Sequence, residues 1–230
     1  MIDKALRYLK KQAQWRRYAK RLREFTNIED YQRFLEATEY APLLAMWRSL
    51  LQRHQTEAEL VLDTYRIETN GKRVLDVGAG SGGFLDAAGQ RGAVTVGLDY
   101  NPLVVRWLQL RGHLAFTANI LRKSWSVGGN MFDLVHLKGS IVVEYFDLVG
   151  YGRLGRFLAN LENCAAPGGR ILLCPYFELA GSSQDRVLRT ADPLNCRFTS
   201  AMRGAGYEIM ERIPLRNDET PYPLTYGKSV

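Results

Sequence analysis

Eleven residues, Val74-Leu75-Asp76-Val77-Gly78-Ala79-Gly80-Ser81-Gly82-Gly83-Phe84, restrict what this chain can fold into more than any other stretch. A short apolar run with strand character breaks into a cluster of glycines, and a helical pattern opens at about Phe84. Strand, tight turn and helix in direct succession carry the backbone close to a ligand, where a Cβ would be in the way. The start of the helix also presents unpaired N–H groups to polar or anionic atoms of that ligand. The plain alternative is a glycine turn with a purely structural role in some other α/β protein.

Two ligand patterns overlap in these glycines. Gly78, Gly80 and Gly83 fit G-x-G-x-x-G, the dinucleotide fingerprint. Gly78, Gly80 and Gly82 fit G-x-G-x-G with an acid, Asp76, two positions before, and this pattern resembles motif I of the class I S-adenosylmethionine-dependent methyltransferases. An acid at the end of the first strand suits the ammonium and sulfonium of S-adenosylmethionine. It opposes a pyrophosphate, whose charge has the same sign. The chemistry favours the methyl donor over NAD.

The resemblance covers roughly residues 70–215. It implies an α/β, Rossmann-like fold: a seven-stranded, mostly parallel sheet with helices on both faces and an N-terminal helical cap. Residues 1–68 then form a basic N-terminal helix and the cap, and residues 69–230 the S-adenosylmethionine-binding domain. The chain's length and its 46% apolar content allow one such domain with an appendage. No apolar run is long enough to span a bilayer, and the N-terminus lacks the apolar segment of a signal peptide. Cys164, Cys174 and Cys196 are widely spaced and read as core thiols of a cytoplasmic protein. His54, His113 and His136 are equally scattered, so no metal site is expected.

Charge is concentrated at one end. Residues 1–23 hold nine Lys or Arg against a single acid, Asp3, so this segment carries +8 of a total of +7 and the remainder sums to −1. Ile2, Ala5, Leu6, Leu9, Ala13 and Leu22 suggest the apolar stripe of a helix. Its plainest role is packing on the domain. Attachment to an anionic membrane surface comes second, which would make the protein peripheral at the inner face of a membrane. Phosphate contact with nucleic acid comes third. Helical pattern continues from Thr26 to about Glu68, with a cap at Thr26-Asn27, a second start at Pro42 and a further run from Glu57 to Tyr65. Tyr40, Trp47 and Tyr65 are each either pocket wall or plain core.

Further along, Asp99 ends the expected second strand, 21 residues after Gly78, where a carboxylate can accept both ribose hydroxyls. The run from Gly97 to Pro102 looks like the second methyltransferase motif, with Tyr100 lying against the adenine. Asn119, beside Ile120, stands where the family often has an acid near the adenine amino group, and its side-chain oxygen can still accept that bond. Met131 to Lys138 is similar to motif IV, so Leu137 and Lys138 are expected to meet the cofactor through backbone. The implied cofactor set is Asp76, Gly78, Ala79, Gly80, Gly82, Asp99, Tyr100, Asn119, Ile120, Leu137 and Lys138. Candidates for a general base are His136, Glu144, Tyr176 and Glu178, although a lone strand histidine is more often a core residue. Arg170 to Cys174 is the expected fifth strand after the turn Ala166-Pro167-Gly168-Gly169. Residues 179–194 read as a loop, Tyr207 to Leu215 as strand six, and Pro221 to Val230 as a last antiparallel strand.

The function implied is methyl transfer from S-adenosylmethionine, leaving S-adenosylhomocysteine, to an oxygen or nitrogen of a small molecule or of a sugar or glycan. Methyltransferases acting on bases or glutamine carry Asn/Asp-Pro-Pro-aromatic after strand four, where this chain reads His136-Leu137-Lys138-Gly139. An RNA-directed methyltransferase is the alternative within the class. An NAD-dependent oxidoreductase and a non-catalytic cofactor-binding protein acting through the basic helix are the alternatives outside it. Nothing in the sequence fixes an oligomeric state.

Overall fold

The computed structural model describes residue 18 and residues 21–120, 131–142, 152–176, 197–210 and 225–230, with the backbone alone for 139–142, 175 and 176. The first complete helix, α1 (Ile28–Glu36), starts where the Asn27 side chain accepts a hydrogen bond from the Asp30 amide at 2.8 Å. Helix α2 (Ala41–Thr64) has Pro42 in its first turn. The sequence suggested two runs here, and the structure has a single helix of 24 residues. Between Leu51 and Glu57 no glycine or proline breaks the backbone ladder, so the change in side-chain pattern does not end the helix.

After α2 the chain alternates between strand and helix: β1 (Arg73–Val77), α3 (Gly83–Gln90), β2 (Val94–Asp99), α4 (Pro102–Leu110), β3 (Leu114–Thr117) and β4 (Phe132–Val142). It continues through α5 (Gly152–Glu162), β5 (Ala165–Tyr176), α6 (Arg197–Gly204), β6 (Glu208–Ile209) and β7 (Tyr226–Ser229). The seven strands form one sheet in the order β3-β2-β1-β4-β5-β7-β6. Pairings from β3 across to β5 are parallel, and β7 is antiparallel to both β5 and β6.

Strand alternation builds two faces. Leu75, Val135 and Ile171 point to one side, where Leu154, Phe157 and Leu158 of α5 and Phe198 of α6 cover them. Val74, Leu134 and Leu172 point to the other, against Ala58, Val61 and Leu62 of α2 and Phe84 of α3. A third cluster joins α1, the N-terminal half of α2 and α4, with the Trp47 and Trp107 rings 5.5 Å apart. Trp47 is therefore core, and Tyr65 belongs to the cluster beneath α2.

Three details differ from expectation. Strand β4 continues past Lys138 to Val142. The turn Ala166-Pro167-Gly168-Gly169 lies inside β5, bulging out between the pairs Phe132↔Ala165 and Leu134↔Arg170, with Gly168 at a φ of 76°. Strand β6 spans only Glu208–Ile209 among the described residues of the longer expected run. Of the basic segment, Tyr18 and Arg21 to Arg23 are described: Tyr18 packs on Phe34 and Tyr40, and Arg21 lies over the Phe34 ring at 4.8 Å. The rest of that segment and the expected loop at 179–194 lie outside the described residues.

Candidate cofactor site

Register brings the acidic floor of the site together. Asp76 on β1 and His136 on β4 are paired residues of adjacent parallel strands, so both side chains point toward α2 and α3. His136 Nδ1 lies 2.8 Å from Asp76 Oδ1, and the Phe84 ring, in the first turn of α3, stacks flat on the imidazole at 3.5 Å. Burial pushes the His136 pKa down, but the hydrogen bonds and charges of Asp76 and Cys174 together outweigh it and hold the imidazole above its ordinary value. Lys138, two residues on, faces the same way.

Above this floor runs the glycine loop. The Gly78 and Ala79 amides donate to the Leu98 carbonyl of β2 at 2.6 and 3.0 Å, tying the loop to the neighbouring strand. Gly80 has a φ of 50°, and its amide donates to Asp99 Oδ2 at 3.3 Å. Asp99 Oδ1 accepts from the Asn101 amide at 2.9 Å, which fixes the carboxylate at the end of β2. Burial raises the Asp99 carboxyl to about 6, against the pull of its backbone hydrogen bonds.

Ser81 anchors the loop from two sides. Its carbonyl accepts from Trp107 Nε1 at 3.2 Å and from Arg111 Nη1 at 2.7 Å, while its hydroxyl meets His54 Nδ1 of α2 at 3.0 Å. Gly82 caps α3 with a φ of 92°, and a Cβ there would run into Arg111 and Leu108 at 2.7 Å. A Cβ on Gly83 would meet the Gln55 amide nitrogen at 2.6 Å. These last two glycines are small because α4 and α2 press on them.

A cavity of about 310 Å³ opens between the loop, the strand ends and α2. Asp76, Gly78, Ala79, Gly80, His136 and Lys138 from the expected set line it, and Asp99, behind the lining, accepts the Gly80 amide. The expected residues outside its lining are Gly82, Asp99, Tyr100, Asn119, Ile120 and Leu137. Tyr100 is exposed beside Asp99, Ile120 packs partly on the core, and Leu137 is wholly buried in it. Asn119 is half-buried beyond β3. Glu144 and Glu178 lie outside the described residues, and Tyr176 is described by its backbone alone.

Helix α2 contributes lining that the motifs did not point to. His54 and Ala58 face the cavity, and Glu57, on the same face, pairs with Lys138 Nζ. The spacing i, i+3, i+4 was the available signal. Polar His54 and Glu57 read as solvated positions until β4 supplies a lysine opposite them. Burial and the nearby Lys138 charge push the His54 pKa down. Burial raises that of Glu57, but Lys138 and Arg53 outweigh it and keep the carboxyl below its ordinary range.

The donor set fits S-adenosylmethionine. An open approach at Gly80, a fixed acid at a strand end, and a cavity holding both Asp76 and Lys138 offer partners for ribose hydroxyls, an ammonium and a carboxylate.

Residues 50–210 match the methyltransferase-domain family. Demethylmenaquinone methyltransferases of two strains of Tropheryma whipplei are 28% identical over 109 residues. That match covers 47% of this chain and spans only 43% of the length of those relatives. Streptomyces venezuelae DesVI superposes with a TM-score of 0.58 at 16% identity, covering 84% of this chain and 98% of that one. An S-adenosylmethionine-dependent methyltransferase from Mesorhizobium loti gives 0.53 at 17% identity, covering 75% and 98%. At such identities these structures share the fold.

Proposed function

The chain belongs to the methyltransferase-domain family, and on that premise we propose that it transfers a methyl group from S-adenosylmethionine to an oxygen or nitrogen of a small-molecule or sugar acceptor. The observation carrying this reading is the coupling of Asp99 to the glycine loop: one carboxylate, fixed at the end of β2, holds the Gly80 amide beside an open cavity. A strand-end carboxylate so placed is suited to accept both hydroxyls of a ribose. The oxidoreductase alternative is set aside by the family match.

When bound, S-adenosylmethionine supplies an electrophilic methyl carbon on a sulfonium. The protein's part is positioning: the ribose held by Asp99, the amino-acid end in the cavity, water excluded by Phe84 and α2. His136, engaged with Asp76 and stacked under Phe84, is better suited to hold the floor than to take a proton from an acceptor. An oxygen acceptor would need its base elsewhere, and Glu144, Tyr176 and Glu178 remain the candidates we propose. A small-molecule acceptor is supported by the absence of Asn/Asp-Pro-Pro-aromatic at the end of β4. Demethylmenaquinone, the acceptor named for the Tropheryma relatives, is a second reading favoured by their 28% identity. We further propose that residues 1–23 hold the protein at an anionic membrane surface, which binding to charged vesicles tests.

Calorimetric titration with S-adenosylhomocysteine, with NAD as control, tests the cofactor. We expect binding of the former alone, weakened at least tenfold by Asp99→Ala. Affinity should also fall as the pH drops below about 6, because a protonated Asp99 gives up part of its acceptor capacity. Binding of NAD alone would overturn the reading.

A further inference from the structure

Charge is unevenly distributed around the cavity. At its floor the Asp76 carboxylate is partnered by His136. On the α2 side, among the described residues, the Glu57 carboxylate faces two cations: Lys138 Nζ, and Arg53 Nε at 2.9 Å. His54 adds no charge at neutral pH, since burial and Lys138 both favour its neutral form. The Lys138 and Glu57 side chains are 24% and 12% exposed, dry enough for a charge-assisted contact to count.

The start of α3 is the usual place for an anion after a glycine loop. Its first residue, Gly83, lines the cavity with the His54 and Gln55 backbone packed directly against it. A carboxylate entering the cavity also meets Lys138, the one lysine or arginine among the described residues that line it.

We propose that Lys138, aimed by Glu57 of α2, receives the α-carboxylate of the methyl donor, so that the helical cap and not the glycine loop alone reads the amino-acid end of the cofactor. The inference rests on the methyl-donor reading above and adds a residue-level partner to it. Lys138 is a binding residue in this account and Glu57 a positioning residue.

The test is calorimetry with two ligands: S-adenosylhomocysteine and the analogue lacking only its α-carboxylate. On the wild-type chain the missing carboxylate should weaken binding roughly 10–100-fold, the range of one charge-assisted contact. Lys138→Met should weaken S-adenosylhomocysteine by a similar factor while leaving the analogue within about threefold, and Lys138→Arg should recover most of the loss. Retained binding of the analogue also reports that the variant is folded. Equal wild-type affinity for the two ligands overturns the proposal without any variant. So does an equal loss of both ligands in Lys138→Met. A wild-type chain that binds neither ligand instead removes the methyl-donor reading on which the proposal stands.

Discussion

A Cβ built on Gly80 would meet nothing nearer than the Gly78 carbonyl at 3.8 Å, whereas one built on Gly83 would meet the Gln55 amide nitrogen at 2.6 Å. The two glycines sit three positions apart in one motif and answer to different neighbours. Gly80→Ala should cost about 1–2 kcal/mol of stability, the penalty for a left-handed alanine, and should lose S-adenosylhomocysteine binding. Gly83→Ala needs no left-handed backbone but drives α2 from α3, and we expect a loss of about 3 kcal/mol from such overpacking. Urea denaturation with parallel calorimetry separates the two; equal stability losses would contradict this division. Much of the site was legible at this scale, because Asp76, Gly78, Gly80 and Asp99 are tied to one another by spacing along adjacent strands. His54 and Glu57 were not. Their partners, Ser81 and Lys138, are 27 and 81 residues away in sequence, and only the fold sets them opposite.

Among the elements, α3 and α4 are strapped together behind the glycine loop. Arg111 of the α4 C-cap reaches Asp86 Oδ2 at 2.5 Å while its other nitrogen holds the Ser81 carbonyl, and His113 Nε2 lies 3.1 Å from Asp86 Oδ1. Burial raises the Asp86 carboxyl, but the bonds from His113 and Arg111 outweigh it and hold it below its ordinary range. A carboxyl depressed in the folded state contributes stability above its unfolded pKa and loses it as the pH falls through the folded one. Asp86→Asn should therefore cost about 2 kcal/mol at neutral pH. The gap from wild type should close as the pH falls below about 4, read by urea denaturation across that range. A gap constant with pH would assign the effect to packing. The order of strands and helices was largely legible from apolar runs and punctuation by glycine and proline. The single length of α2 was not, since the change from apolar to polar residues after Leu51 reflects what the helix lies over: core first, then the rim of the cavity, then the sheet beneath Ala58, Val61 and Leu62.

For the whole molecule the dominant asymmetry is charge. Residues 24–230 sum to −1 and residues 1–23 to +8. Leu22 is buried and Tyr18 packs on the cap, so the end of the basic segment is already part of the fold. Deleting residues 1–17 removes six of the nine basic side chains and leaves that packing in place. The full chain should float with anionic liposomes at low salt and be released as salt screens the contact, and the deletion should abolish flotation. Equal flotation of the two forms would remove the membrane proposal. Among the described residues no helix is long and apolar enough to cross a membrane.

The contact of α2 with Gly83 has a consequence for descent. A glycine fixed by a ligand should persist in every relative that keeps the ligand. One fixed by a neighbouring helix needs to persist only while that helix crosses at the same place. In lineages where the segment equivalent to α2 has shifted or been replaced, position 83 should drift to alanine or serine together with changes at positions 54 and 55, while position 80 stays glycine.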